Sequence, residues 1–594
     1  MRRLLSRVVK GYGPVFWIQH KLNPTQFVIF SAILIGLTAG LAAVFMKSFV
    51  HFFLRNISDF SSQNQYIIAF FPFIGLCLCV LYVKFFNRNK LGKGISNILH
   101  AIAKKSSILP RDQTYSHIIS SSVTVGFGGS SGIESPVVTT GSAIGSNFGR
   151  VYKLSYKERT LLLACGAAAG IAGAFNTPIA GVLFALEVLL VEANISAFIP
   201  ILIAAAAGAL VSKVILAESI LLHFKLQEPF NYHNVPFYLL LGVLCGLTSF
   251  YYSRVFLGTE NFFKRYEYNK AIKVLIAGAL LFILILLLPP LFGEGYINII
   301  QLSSRDARGV FQNSVLPFDA ANRPLLYLFL LAVILLKPVA TAATIGGGGN
   351  GGNFAPSLFV GAFVGFLFSS ILSDLNLVNL PVSNFTLVAM AGLLSGIFHA
   401  PLTGIFIIAE ITGGYELIIP LMIVSATSYA VSKYFMPLSI DFKKLSDKQK
   451  ISRTSTDAYL LSNITLSHLV ETDFLEISDT ADLGTLIEKV AISRRNIFPV
   501  LDSEGTLKGL VTIDDVREIM FKQELYKKLS IKELMRRPAY IISGKDDISS
   551  AMKLFDESHL WNIPVVVDGQ YKGFISKSTI LEKYREILIN NSLE

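Results

Sequence analysis

"GFGGSSGIESPVVTTGSAIG", residues 126 to 145, holds one charged side chain, Glu134, among glycines, small hydroxyl residues and a proline, with long apolar runs on either side. The stretch has a counterpart. When "GNFAPSLFVGAFVG" (352 to 365) is set beneath "GIESPVVTTGSAIG" (132 to 145), the leading glycines, Pro136 with Pro356, Gly141 with Gly361, and Gly145 with Gly365 coincide. A second pair agrees: "AFNTPIAGVLFALE" (174 to 187) lies over "IFHAPLTGIFIIAE" (397 to 410), matching Phe175 with Phe398, Pro178 with Pro401, Gly181 with Gly404 and Glu187 with Glu410. The offsets, 220 and 223, are nearly equal, so these are corresponding places in two halves of a duplicated chain.

Composition says where such a chain resides. Of 594 residues 52% are hydrophobic and 15% charged, and the mean hydropathy is +0.56, too apolar for a soluble enzyme of this length. Apolar runs of about 20 residues, the length that crosses a hydrocarbon core, recur through the first three quarters. They include Gln26 to Met46, Tyr66 to Val83, Phe198 to Val214, Phe237 to Phe256, Ile272 to Leu288, Leu325 to Leu336 and Leu417 to Val431. The basic start "MRRLLSRVVK" reads as a cytoplasmic segment obeying the positive-inside bias, not a cleaved signal. Basic flanks of this kind account for the net charge of +12. No basic stripe alternates with aromatics, which argues against a nucleic-acid partner. Cys77, Cys79, Cys165 and Cys245 all fall in apolar runs and read as small buried residues.

Duplicated halves with Gly/Pro-interrupted hydrophobic segments are the pattern of secondary transporters and related channels. Non-helical backbone cannot face lipid, because each unpaired N–H or C=O there is costly, so the interrupted loops must line a cavity or be buried in protein. Where a helix follows the loop, its first amides and the positive end of its dipole form an anion site. Proline near the start of both "ESPVVTTG" and "NFAPSLFVG" suits a first helical turn. The competing reading is that the glycines serve tight helix packing.

From "DFKKLSDKQKISRTSTD" (441 to 457) onward the chain turns mixed-charge, and it repeats itself again. "SRRNIFPVLDSEGTLKGLVTIDDVREIM" from Ser493 is echoed by "SHLWNIPVVVDGQYKGFISKSTILEKY" from Ser558, each reading as strand, hairpin, strand opening at a glycine (Gly509, Gly573) and helix. These two β-α-β units resemble a tandem pair of cystathionine-β-synthase (CBS) domains. The expected organisation is an N-terminal segment 1–25, a transmembrane domain 26–440, a linker 441–463, and CBS copies at 464–525 and 526–594.

The whole chain resembles the CLC family of chloride channels and proton-coupled chloride exchangers. The family's "GREGP" stands here as Gly132-Ile133-Glu134-Ser135-Pro136, its "GGxFxP" as Gly351-Gly352-Asn353-Phe354-Ala355-Pro356, and "PLTGI" is intact from Pro401 to Ile405. The resemblance implies a polytopic α-helical fold of two inverted repeats with broken helices, plus a cytoplasmic α/β CBS pair. It further implies a homodimer in the cell or plasma membrane, with a cytoplasmic N-terminus. Glu134 takes the place of the gating glutamate: an anion on a tether can occupy an anion site and leave it when protonated. A carboxylate in the first helical turn can also be a simple cap. The expected anion contacts are Gly92, Lys93, Gly94, Ile95, Ser96, Ile133, Ser135, Asn353, Phe354, Ala355 and Asp441.

Several positions depart from the family pattern. Lys93 replaces the central serine of "GSGIP", where it either adds a positive charge to the pathway or snorkels to the interface. Asp441 falls where the central tyrosine belongs, and an acidic side chain is a poor anion ligand. Val188 stands where many exchangers carry a second, inward-facing glutamate. Glu187 precedes it, and its twin Glu410 favours a shared role at a helix end over proton transfer. Lys337, before Pro338, reads as a helix terminus. In the CBS pair Thr512 and Asp515 match the ribose-binding signature, while Ser576 is followed by Thr579, so the pair either binds an adenine nucleotide or serves as a ligand-free dimerising scaffold.

The expected function is transport of chloride or a similar small anion, with proton-linked exchange placed ahead of a passive channel. No other cofactor is expected. A CBS-regulated magnesium transporter is the alternative of a different class, and it lacks the converging carboxylates such a cation needs. An enzyme is disfavoured, because no nucleophile-base pair or metal cluster is visible in the C-terminal region.

Overall fold

The computed structural model describes residues 21–61, 65–87, 91–190, 195–216, 229–265, 269–304, 322–449, 466–543, 546, 548–583 and 585. Most of the basic N-terminal segment and most of the expected linker lie outside them. The chain divides into two compact units, Met1–Ile451 and Ser452–Glu594.

The first unit is helical. Its N-terminal half contains α1 (Pro24–Ser61), α2 (Phe71–Phe86), α3 (Ile95–Lys104), α4 (Gln113–Gly126), α5 (Glu134–Val151), α6 (Tyr156–Phe175), α7 (Pro178–Phe184) and α8 (Ile195–Leu216). Its C-terminal half contains α9 (Val235–Lys264), α10 (Lys270–Leu287), α11 (Tyr296–Ser303), α12 (Arg323–Gly346), α13 (Phe354–Asp374), α14 (Val382–Phe398), α15 (Pro401–Ile411), α16 (Ile418–Phe435) and α17 (Ile440–Gln449). Among the described residues nine helices are long and apolar enough to cross a membrane. The protein is an integral membrane protein.

The duplication is visible in the backbone. α6 ends at Asn176 with φ 58° and α14 at His399 with φ 57°, both left-handed, and in each half a proline then opens the next helix. The second glycines of the matched stretches bring backbones together. A Cβ on Gly141 would stand 2.0 Å from the carbonyl oxygen of Gly166, and one on Gly361 2.7 Å from that of Ala389. Thus α5 packs on α6 and α13 on α14 through small residues, in the manner of membrane helices. Every residue of α14 is buried, as expected of a helix apolar all round. Lys337 lies within α12, which continues through Pro338, so the expected helix terminus is corrected to Gly346. The proline is accommodated because the helix packs against α9, α10 and α13 inside the unit.

The membrane unit takes in α17, part of the stretch that composition assigns to the linker, because Ile440 and Leu445 are buried and α17 packs against α3.

The second unit contains two three-stranded sheets, β1 (Ile477–Ser478), β2 (Ile497–Leu501) and β3 (Leu507–Thr512), then β4 (Ile542–Ser543), β5 (Asn562–Val567) and β6 (Gln570–Ser576). In each the first strand runs parallel to the second and the second antiparallel to the third. Each sheet has its own apolar core with one long helix, α18 (Leu483–Ile492) or α19 (Ile548–Ser558). Gly509 and Gly573 sit inside β3 and β6, opposite Val500 and Val565, where both ladders carry a register shift one residue further on.

Candidate functional site

The tips of the two interrupted loops touch. Gly132 donates its N–H to the Gly352 oxygen at 3.1 Å, and Gly352 donates back to Gly132 at 2.8 Å, as an isolated antiparallel bridge. Corresponding residues paired in opposite directions require a two-fold axis between them, which is the inverted-repeat relationship. The helices α5 and α13 begin two residues beyond this bridge, and neither N-terminus has a side-chain cap bond. Two positive dipole ends and their first amides therefore converge inside the protein.

Glu134 occupies that junction. It is 1% exposed, and its Oε1 accepts a hydrogen bond from the Tyr296 hydroxyl at 2.8 Å. Its Oε2 has no partner at hydrogen-bond geometry, although the amides of Glu134 and Ala355 face the carboxylate closely enough to act on it electrostatically. Gly132 makes the room: a Cβ there would stand 1.9 Å from Oε2 and 2.8 Å from Ala355 Cβ. Ile133, Ser135, Asn353, Phe354 and Ala355 are all buried around it. The Phe354 ring lies between Phe175 and Phe398, with centroids at 5.9 and 5.7 Å, and those two are equivalent residues of the halves. Tyr252 donates to Asn353 Oδ1 at 3.4 Å.

A segment absent from the sequence expectations completes this end. Gly293-Glu294-Gly295-Tyr296 enters α11, and Glu294 Oε1 accepts the Ile133 N–H at 3.1 Å. One of the amides expected to hold an anion is thus engaged by a second carboxylate. The segment is pinned from both sides, by Gly293 N–H to the Gly128 oxygen at 2.9 Å and by Lys337 Nζ to the Gly293 oxygen at 3.1 Å. Lys337 is fully buried, with its ammonium 4.5 Å from the centre of the Phe359 ring. The signal was available in "GEGYINII" (293 to 300), a carboxylate between two glycines after an apolar run, the same signature as the opening stretch.

A cavity of about 370 Å³ reaches Glu134 and is lined also by Gly92 to Asn97, Ser135, Gly351 to Phe354, Phe398 and Asp441. Its charged lining consists of Lys93, Lys264, Lys273, Lys444, Glu134, Glu260 and Asp441. Lys93 places its positive charge in the cavity lining, held there by the backbone. Its ammonium donates to the carbonyls of Gly348 and Gly349, both at 2.7 Å, tying the loop ahead of α13 to the start of α3. Lys444 pairs with Glu260 at 2.7 Å. Asp441 is 8% exposed, and the Ser96 amide faces its carboxylate.

Glu187 and Glu410 form a reciprocal pair of caps. Glu187, on a π turn that continues α7, accepts from the Leu402 and Thr403 amides at 3.2 and 2.9 Å and from the Thr403 hydroxyl at 2.8 Å. Glu410 accepts from the Ile179 and Ala180 amides at 3.1 and 2.8 Å. Each half thereby caps a helix of the other. Val188 is buried beside Glu187.

In the second unit Thr512 and Asp515 bond reciprocally as a capping box, and Asp515 also pairs with Arg536 at 2.6 Å. Ser576 donates to Glu471 Oε1 at 2.6 Å and lies 2.8 Å from the Thr579 hydroxyl, which also bonds Glu471. The expected nucleotide ligands of the two copies are therefore engaged in different local networks.

Broken helices of two inverted halves meeting around a buried carboxylate define a membrane transport protein of the inverted-repeat class. Comparison with known proteins identifies the family. The voltage gated chloride channel family profile matches residues 74–433, and the CBS domain profile matches 466–522 and 531–586. The chain belongs to the voltage gated chloride channel (CLC) family and carries a C-terminal pair of CBS domains. It is 30% identical over 346 residues (57% of this chain, 76% of the relative) to a putative chloride channel protein ClcB-like from Ralstonia nicotianae. It is 26% identical over 416 residues (67% and 84%) to the H(+)/Cl(-) exchange transporter ClcA of Vibrio cholerae. A slow cyanobacterial Cl-/H+ antiporter shares the fold with a TM-score of 0.61 at 21% identity, covering 72% of this chain and all of that one.

Proposed function

We propose that the chain moves chloride or a similar small anion through the cavity between Glu134 and Asp441, with Glu134 as its protonatable gate and with proton movement coupled to anion movement. The observation that carries this reading is the Glu134 carboxylate lying buried where the N-termini of α5 and α13 converge. Those amides and dipole ends stabilise an anion by partial charges, strongly enough to bind it and weakly enough to release it. A tethered carboxylate competes with a free anion for the same donors. Protonation neutralises it, and the site is then open. The cavity lining holds four lysines against three carboxylates, a balance suited to an anion and not to magnesium.

Exchange is supported by the exchanger and antiporter relatives and by the buried position of Glu134. A passive channel is the second reading, favoured by Val188 at the place where many exchangers carry a glutamate. The assembly is proposed as a homodimer in the cell membrane with the N-terminus and CBS pair in the cytoplasm. The CBS pair is proposed to take an adenine nucleotide through Thr512 and Asp515, leaving Ser576 in the Glu471 network.

The test is flux from reconstituted vesicles, with chloride and pH followed together for the natural protein, Glu134→Gln and Glu134→Ala. Uphill proton movement driven by a chloride gradient, lost in both variants, establishes exchange. Chloride flux without proton movement establishes the channel. Magnesium uptake with no chloride flux removes the anion reading altogether.

A further inference from the structure

We infer that Asp441 is a second tethered gate: its carboxylate occupies the anion site at the start of α3, in the same cavity as Glu134, and must leave the Ser96 amide before an anion can bind there. The inference rests on the anion-transport reading and deepens it. α3 begins after Gly94, whose φ of 79° turns the chain and which supplies no side-chain cap. The first amides of this ten-residue helix therefore need a partner from elsewhere. The Ser96 amide faces a carboxylate that another helix, α17, delivers from its first turn. Asp441 is buried, and it lines the same cavity as Glu134. The cavity thus holds one device twice, a carboxylate set on the N-terminus of a helix that has no side-chain cap at its start.

The charges around Asp441 make the device responsive. Lys93 and His100 face the cavity from the α3 side, Lys444 from α17 itself, Glu260 and Lys264 from α9, Lys273 from α10, and Glu134 from α5. Lys444 pairs with Glu260 and also attracts the Asp441 carboxylate, while Lys93 is held by two carbonyls. An anion in the cavity meets four lysines and a site filled by the protein's own carboxylate. Its arrival raises the negative charge beside Asp441 and favours protonation there. The released carboxylic acid frees the amide for the anion. This supplies a second proton acceptor in the cavity besides Glu134.

A fixed cap holding α17 on α3 is the structural alternative, and chloride binding separates the two. Isothermal titration of the purified full-length protein with chloride, at neutral and mildly acidic pH, compares Glu134→Gln with Glu134→Gln/Asp441→Asn. Asparagine keeps a hydrogen-bond acceptor for the Ser96 amide and removes the charge. If the carboxylate fills the site about nine-tenths of the time, the double variant binds chloride about tenfold more tightly at neutral pH. Its affinity is also flat with pH, while that of Glu134→Gln rises on acidification. Equal affinities with equal pH dependence overturn the inference and leave Asp441 a cap. Should the double variant not fold, Glu134→Gln alone decides, since a pH-independent chloride affinity there overturns the inference equally. Failure of the underlying reading looks different: neither chloride binding nor chloride flux in any form, the natural protein included.

Discussion

The start of α5 carries Glu134, and the corresponding position at the start of α13 is Phe354. Around these two residues the halves are alike: a glycine in the central bridge, a proline two residues on, and a phenylalanine from the following helix pair, Phe175 or Phe398. One half thus delivers a titratable anion to the junction and the other an apolar ring. The duplicated scaffold supplies the converging amides, and this asymmetry between them places a carboxylate on one side only. A symmetric pair of carboxylates there would repel each other and be costly to ionise together.

Substituting each half's residue sharpens the contrast most. Glu134→Ala is expected to lower proton movement in vesicles by about 100-fold or more, the scale of losing a positioned proton carrier. Phe354→Leu is expected to keep coupling and change only the rate. Equal loss of coupling in both would break the comparison.

The bridge glycines come next. A methyl on Gly132 would strike Glu134 Oε2, whereas one on Gly352 would meet Ser135 Cβ at 2.6 Å. Gly132→Ala should therefore push the carboxylate off its site and make chloride flux insensitive to pH. Gly352→Ala should keep the pH response and lose stability by about 1–3 kcal/mol through overpacking. Vesicle flux against pH, with thermal unfolding in detergent, tests both.

The reciprocal caps probe where the halves are equivalent. Removing either carboxylate leaves first-turn amides without their acceptor, a loss of about 0.5–2 kcal/mol. Glu187→Ala should lower the unfolding temperature more than Glu410→Ala, since Glu187 receives three hydrogen bonds and Glu410 two.

What could be read without coordinates follows the same division. The seven apolar runs fall within or closely match lipid-length helices, because long side chains at a membrane surface raise hydropathy directly. α5 and α6 escaped that reading, since helices packed backbone to backbone are rich in Gly, Ala, Ser and Thr; α13 was read only as the helix after its loop, although it is rich in Phe, Leu and Val. The loop tips were legible because glycine and proline recur at fixed offsets. Glu294 and Tyr296 were not, as their meeting with Ile133 and Glu134 joins residues that no repeat aligns. The carbonyl partners of Lys93 were out of reach for a related reason: Gly348 and Gly349 are 255 and 256 residues away.

The CBS copies offer the finest version of the comparison, because their hairpins solve one turn in two ways. In the first copy Asp502 accepts from the Glu504 and Thr506 amides at 3.0 and 2.8 Å and pairs with Lys508 at 2.9 Å. The second copy turns through Asp568 and Gly569 with φ of 51° and 84°, a two-residue turn held by backbone conformation. The Lys508 ammonium first, then the Thr506 amide, hold the Asp502 carboxyl down to about 2. A carboxylate whose folded value lies below its unfolded value of about 3.9 stabilises the fold above that pH and loses the contribution as pH falls toward the folded value. Calorimetry of the full chain should therefore show the C-terminal transition dropping more steeply from about pH 5 to about pH 3 in the natural protein than in Asp502→Asn. Gly569→Ala meets no atom within 4 Å, so its cost is conformational, about 1–2 kcal/mol at every pH alike. Identical acid slopes for the natural protein and Asp502→Asn would mean that the first turn, like the second, is held by its backbone alone.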